Sequence, residues 1–95
     1  MTAYVVTAIS VTDATKYEDY KRLSGPAVAA NGGRFIARGG ALEVLEGDWP
    51  HKRVVLLEFP TVDAAKKFYT SVEYVAARQA RVGAAEFNMV IVEGV

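Results

Sequence analysis

Hydrophobic positions along the chain follow two different spacings, and together these predict six elements. Stretches rich in valine, isoleucine and aromatic residues predict strands over residues 3–11, 34–38 continuing through 41–46, 52–59 and 86–93. Apolar residues at steps of three and four predict helices over residues 14–30 and 62–83. The predicted order is therefore β-α-β-β-α-β.

Short polar side chains mark where the helices begin. Thr12 or Asp13 can accept a hydrogen bond from the first free amides of the first helix. Thr61 or Asp63 can do the same for the second helix. Ser71 is also a good cap, so the second helical segment is either one helix or two helices that meet at this residue.

Glycine and proline interrupt two of these elements. Gly25-Pro26 lies inside the first helix, and because proline has no amide donor we expect a kink there or two abutting helices. Gly39-Gly40 lies between residues 34–38 and 41–46 and predicts a bulge or a sharp bend, so these residues form one bent strand or two short ones. Residues 47–51 are rich in turn formers, so the second and third strands are expected to form a hairpin.

The element order is the split unit of ferredoxin-like domains, which predicts an α+β fold with a four-stranded antiparallel sheet and both helices on one face. Apolar side chains occupy both sides of the strands, as at residues 54–57 and 89–92. A domain of about 95 residues buries only about 60 to 65% of its unfolded surface, so covering a second apolar face stabilises it. We therefore expect residues 1–95 to form one domain that pairs face to face as a homodimer, a dimeric α+β barrel, with higher oligomers as the alternative.

Composition removes several classes of function. Eleven basic residues balance eleven acidic ones, so no nucleic-acid partner is expected. Cysteine is absent and histidine occurs once, which excludes a disulfide framework, a thiol nucleophile and a closed zinc or copper site. The longest apolar runs span four residues, too short for a membrane helix or a secretory signal. We expect a cytoplasmic protein with no membrane contact, no metal and no cofactor.

Three charged residues on predicted strands are candidates for a ligand site. Arg34, Arg38 and Glu58 share an odd-even position with apolar neighbours, so they are expected on one face of the sheet. Arg38 opposite Glu58 would bind a ligand carboxylate or hold an acidic group in a chosen charge state. A salt bridge within the chain or across the dimer is the alternative.

Aromatic residues are the second group of candidates. Tyr20 of the first helix and Phe68 and Tyr69 of the second, together with Tyr17 and Tyr74, bring aromatic surface towards the sheet. Such walls suit a flat apolar ligand. Ordinary core packing is the alternative.

The remaining candidates favour structural roles. His51 lies in the predicted turn, which favours a surface residue over a proton shuttle. Trp49 is predicted to form a subunit contact or to pack on its own hairpin. The two glycine pairs lack G-x-G-x-x-G spacing, so they serve backbone geometry and not phosphate binding. Arg78 and Arg81 are expected on a solvated basic helix face.

A string of motifs in a fixed order covers nearly the whole chain. It comprises Thr12-Asp13, Tyr17-x-x-Tyr20, Asn31 through Gly40, Leu45-Glu46-Gly47, Arg53 through Pro60, and Tyr69 through Tyr74 followed by Arg78 and Arg81. This string resembles the bacterial family catalogued as domain of unknown function 1330. The resemblance implies the dimeric α+β barrel superfamily, which includes cofactor-free monooxygenases, haem-degrading oxygenases, muconolactone isomerases and proteins with no assigned activity. Both predicted helices lack the histidine with which the haem-degrading members bind iron, so haem is disfavoured.

The main hypothesis for function is a homodimer that binds a small aromatic or acidic organic ligand between sheet and helices, with cofactor-free oxygenase, isomerase or lyase activity as an addition to test. Its charged groups would be Arg34, Arg38 and Glu58, and its walls Tyr20, Phe68 and Tyr69. The alternative is a non-enzymatic regulatory or stress-related interaction module with a filled interior. RNA binding is disfavoured, because residues 54–57 are aliphatic where RNA-binding domains of this order present stacking aromatics.

Overall fold

The computed structural model describes residues 1–95, which form four strands and three helices. They are β1 (Ala3–Val11), α1 (Ala14–Ala30), β2 (Arg34–Arg38), β3 (Arg53–Phe59), α2 (Val62–Thr70), α3 (Val72–Ala80) and β4 (Ala85–Glu93). The strands form one antiparallel sheet in the order β2-β3-β1-β4, which confirms the predicted ferredoxin-like βαββαβ arrangement. None of the helices combines the length and the apolar composition that crossing a membrane requires.

The helices cover one face of the sheet, and the core lies between these two layers. Along β1 every second residue from Ala3 to Ile9 is buried, whereas the residues between them are only half-buried. The ring of Phe68 on α2 packs against Phe59 of β3 and Tyr74 of α3, with ring centroids 5.0 and 4.3 Å apart. The Cα atoms span only 16 Å along the thinnest axis, which corresponds to one helix layer on one sheet.

The helices begin at predicted capping residues. The Asp13 carboxylate accepts a hydrogen bond from the amide three residues later at 3.1 Å, and the Thr61 hydroxyl does the same at 3.0 Å. The Ser71 hydroxyl caps α3 in this way at 3.2 Å, so the second helical segment is two helices. Helix α1 continues through Pro26, so the alternative of two abutting helices is wrong, while a kink there stays a prediction.

Residues 41–46 do not continue β2, so this part of the predicted second strand is wrong. Strand β2 ends at Arg38, and Gly39 then adopts a φ of 72° and donates its amide to the Val54 carbonyl at 2.9 Å. Residues 55–58 of β3 already pair with Arg34–Arg38, so residues 41–46 have no free strand edge to pair with. They form an irregular loop whose side chains are exposed.

A β-bulge at Ile36 reverses the side on which the end of β2 presents its side chains. The pairing of β2 with β3 shifts by one residue there, and not at the glycine pair, where the structure has the predicted bend at Gly39 instead of a bulge. Before the shift Arg34 lies opposite Glu58, and after it Arg38 lies opposite Val55, which is buried under the helices. The expectation that Arg38 lies opposite Glu58 on a shared face is therefore wrong, because one extra residue turns Arg38 to the helix side.

The sheet face that points away from the helices, called the open face below, has an apolar centre and carries no helix. At its centre Val6 of β1 lies between its partners Leu56 of β3 and Val90 of β4. Val90 is 61% exposed and Val92 is 49% exposed. Apolar side chains therefore lie on both faces of the sheet, as the sequence pattern predicts.

The corner between α2 and α3 generates a stability prediction. The Ser71 hydroxyl accepts from the Tyr74 amide and also donates to the Phe68 carbonyl at 2.7 Å. We expect Ser71→Ala to lower the free energy of unfolding by about 1 kcal/mol in chemical denaturation, because both helix ends lose a partner. Thr70→Ala, at the exposed neighbouring residue, is the control and should change it by less than about 0.5 kcal/mol. Equal effects of the two changes would contradict the capping role.

Candidate functional site

A cavity of about 550 Å³ lies between α2, the end of α3 and β4 on the helix side of the sheet. Nine residues line it, and eight of them are hydrophobic. The helix side contributes Ala65, Phe68 and Tyr69, and β4 contributes Phe87, Met89, Val90 and Ile91. Val90 points to the other face of the sheet, so the cavity reaches round the edge formed by β4. This volume lies in the range of pockets that hold small organic molecules.

The end of β4 forms the mouth of this cavity. Residues of β4 that face the helices are half-buried at Phe87 and Met89 but exposed at Ile91. Ile91 lies on the edge strand β4 and pairs with the buried Val5 of β1. The mouth therefore lies at the edge of the sheet, next to the buried core. The helix layer thus stops short of the last residues of β4, and the apolar interior opens to the outside there.

A pair of tyrosine hydroxyls lies behind the cavity wall. The Tyr20 and Tyr74 hydroxyls share a hydrogen bond of 2.7 Å, and the Tyr74 hydroxyl donates to Met89 Sδ at 3.7 Å. Both side chains are buried, and this burial raises the pKa of Tyr20 and the pKa of Tyr74 above the ordinary tyrosine value. Both phenols are therefore neutral and serve as hydrogen-bonding groups, not as bases.

Arg81 is the only charged residue in the lining. Its guanidinium carbon lies 3.6 Å from the centroid of the Phe87 ring, and its Nη2 lies 3.9 Å from Met89 Sδ. None of the three ion pairs in the chain involves Arg81. Sequence reasoning missed this residue because it placed Arg78 and Arg81 on a solvated helix face. The helix ends one residue before Arg81, a boundary that the helical period did not reveal.

The structure brings only two of the six predicted ligand-site residues together at this cavity. Phe68 and Tyr69 line it, and Phe68 is fully buried while Tyr69 is 37% exposed. Tyr20 lies one layer behind, with its ring 5.1 Å from that of Phe87. The aromatic candidates therefore serve both core packing and the cavity wall.

The three charged candidates lie elsewhere. Arg34 Nε and Glu58 Oε1 form an ion pair of 2.8 Å on the open face, which agrees with the salt-bridge alternative for Glu58. Arg38 donates to the Lys21 carbonyl at 3.0 Å and borders an open polar cleft beside α1. Nothing in the arrangement joins Arg34, Arg38 and Glu58 into one site.

His51 is tied to the open face and is not a free turn residue. Its Nδ1 lies 2.9 Å from Ser10 Oγ of β1, and its Nε2 lies 3.2 Å from Asn88 Nδ2 of β4. These two bonds fasten the end of the irregular loop to the sheet. Trp49, two residues earlier, is 51% exposed. No group of three or more histidine, aspartate or glutamate side chains lies close enough together to hold a metal ion.

The fold and the cavity define a ferredoxin-like α+β protein with an apolar pocket between sheet and helices. A family model described as domain of unknown function (DUF1330) matches residues 2–95, so the chain belongs to that family, as the motif string predicts. No curated protein matches the sequence.

Several solved structures share the fold. A protein of unknown function from Rhodopseudomonas palustris is 22% identical, with 99% of this chain and 82% of that chain covered and a TM-score of 0.78. SnoaB, a cofactor-independent oxygenase from Streptomyces nogalater, is 12% identical, with 99% and 93% covered and a TM-score of 0.65. A dimeric ferredoxin-like protein of unknown function from Jannaschia sp. CCS1 is 11% identical, with 99% and 100% covered and a TM-score of 0.67.

The buried tyrosine pair makes a prediction for alkaline pH. In the folded state the pKa values of Tyr20 and Tyr74 lie above the ordinary tyrosine pKa of 10.0. Their contribution to the free energy of unfolding is therefore complete below pH 10.0 and decreases as the pH rises above it. In an absorbance titration of phenolate, these two tyrosines should ionise only when the chain unfolds. Tyr20→Phe should therefore reduce the absorbance step that accompanies unfolding. It should leave unchanged the reversible absorbance increase from tyrosines that ionise while the chain is folded. A smaller reversible part would contradict the prediction.

Proposed function

We propose that this protein is a homodimer that binds a small organic molecule in the cavity between α2, α3 and β4. The observation that carries the proposal is the cavity itself, because its volume of about 550 Å³ and its lining of eight hydrophobic residues and one cation suit a ligand with a flat apolar body. Phe68 and Tyr69 provide the aromatic wall on the helix side. The polar cleft beside Arg38 has no hydrophobic lining, so it is the weaker candidate.

The cavity favours ligand binding over the alternative of an interaction module with a filled interior. Apart from Arg81, the lining offers one polar group, the Tyr69 hydroxyl, and it contains no histidine or carboxylate. The geometry therefore supports binding and supplies no general base for catalysis. The fold shared with SnoaB makes oxygenation without a cofactor the first reaction to assay on any ligand that binds.

The open face supports the homodimer. Val6, Leu56 and Val90 form an apolar centre on a sheet that carries helices on one side only. Exposed apolar surface of this kind is typical of a contact between proteins, and a second copy offers a matching apolar face across a twofold axis. The structural neighbour from Jannaschia sp. CCS1 is described as dimeric, which agrees with this partner.

A matched pair of substitutions tests the dimer. Val6→Lys places a charge at the centre of the proposed interface, where pairing two sheets would bury it without a partner, so we expect a monomer at micromolar concentration. Val72→Lys makes the same change on α3 at a residue that is 84% exposed, and this control should remain dimeric. Light scattering measures the mass, and circular dichroism checks that both variants fold. A monomeric unsubstituted protein, or a dimeric Val6→Lys, would contradict the proposal.

Binding of a neutral fluorescent probe tests the cavity. Anilinonaphthalene, which has a flat apolar body and no charge, should bind saturably with one site per chain. Ile91→Trp fills the mouth and should weaken this binding by about tenfold or more, because the probe loses most of its apolar contact. Val72→Trp, on exposed α3, is the matched control and should bind as the unsubstituted protein does. Absence of saturable binding would favour the interaction module.

A further inference from the structure

We infer that the ligand of this cavity is an organic anion, a flat apolar molecule bearing a carboxylate, sulfonate or phenolate, and that Arg81 binds its charged group. This inference rests on the proposed function, because it concerns the same cavity. It replaces Arg38, on the polar cleft, with Arg81 as the residue that recognises an acidic ligand.

The surroundings of Arg81 hold its guanidinium in place and leave it without an acidic partner. Its flat face lies on the Phe87 ring at 3.6 Å, and a second aromatic ring, that of Tyr20, lies 5.6 Å away. The only hydrogen bond of its side chain is the weak one to Met89 Sδ at 3.9 Å. Stacking on an aromatic face leaves the edge of the guanidinium, with its N–H donors, free to bind a carboxylate or a sulfonate in its own plane.

The charge of Arg81 has no counterpart within the cavity. The other eight lining residues are hydrophobic, and no ion pair of the chain includes Arg81. The nearby hydroxyls of Tyr20 and Tyr74 are buried and bonded to each other, so they offer no negative charge. A half-buried guanidinium with apolar neighbours is stabilised by an anion that forms charge-assisted hydrogen bonds with it. In this cavity the charged group of the ligand is that anion.

A second cation lies at the rim of the same cavity. The Arg78 guanidinium stacks on the ring of Tyr69, with its carbon 4.1 Å from the ring centroid, and it too forms no ion pair. Arg78 is not part of the lining, whereas Tyr69 is. Two cations on one side of an apolar opening give it a positive potential, which attracts anions towards the mouth. Arg81 is therefore the anchor, and Arg78 adds to the field at the entrance.

A pair of probes that differ by one group tests the inference. Anilinonaphthalene and its sulfonate share the same rings, so the ratio of their affinities reports the contribution of the charge. We expect the sulfonate to bind about tenfold more tightly, as a charge-assisted hydrogen bond allows. In Arg81→Gln this ratio should fall to about one, and in Arg78→Gln it should fall by about twofold. Arg22→Gln, on the exposed surface of α1, should leave the ratio unchanged.

The outcomes separate this inference from the proposed function. Suppose first that the neutral probe binds and that Ile91→Trp weakens its binding. The cavity then stands, but the anion inference is overturned if the two probes bind the unsubstituted protein equally well, or if Arg81→Gln leaves their affinity ratio high. If neither probe binds saturably, both are overturned. Should Arg81→Gln lose its fold by circular dichroism, Arg81→Lys makes the same comparison, because lysine keeps the charge without the planar fork. For Arg81→Lys, an affinity ratio that is reduced but still above one supports the inference, and an unchanged ratio overturns it.

Discussion

The aromatic contact of Phe68 with Phe59 and Tyr74 determines how α2 and α3 lie on the sheet. It joins α2 to β3 and to α3 in the most deeply buried part of the core. The Ser71 corner between the two helices directly follows from it, because α3 must turn back to bring Tyr74 against Phe68. Since this contact holds α2 above the sheet, the end of β4 lies beyond the helix layer, and the cavity forms in the gap.

The cavity and the open face share one physical origin. A sheet with apolar side chains on both faces needs two covers, and this chain supplies three helices for one face only. On the helix side the cover is incomplete at Ile91, which leaves an opening that a small molecule can enter. On the open face no helix covers Val6 and Val90, and a second copy of the chain is the cover proposed for them. Each proposal thus concerns apolar surface that the chain by itself leaves unburied.

The candidate site was predicted from the sequence only in part. The helical spacing of the second helical segment predicted that Phe68 and Tyr69 point towards the sheet, and both line the cavity. Arg38 was assigned to the wrong face because counting odd and even positions assumes an unbroken register, and one extra residue at Ile36 inverts the side chains of β2 after it. Arg81 was missed because its importance depends on Phe87, a residue of another element on which its guanidinium stacks.

The sequence by itself determined the order and type of the elements, the capping residues and the apolar character of both sheet faces. These features depend on neighbours within one helical turn or one strand, so periodicity and local hydrogen bonding are sufficient to predict them. Only the tertiary structure decided the bulge at Ile36, the irregular loop over residues 41–46, the cavity and the position of Arg81 within it. Each of these depends on which distant residue lies opposite, and that is set by packing between elements and not by any local pattern.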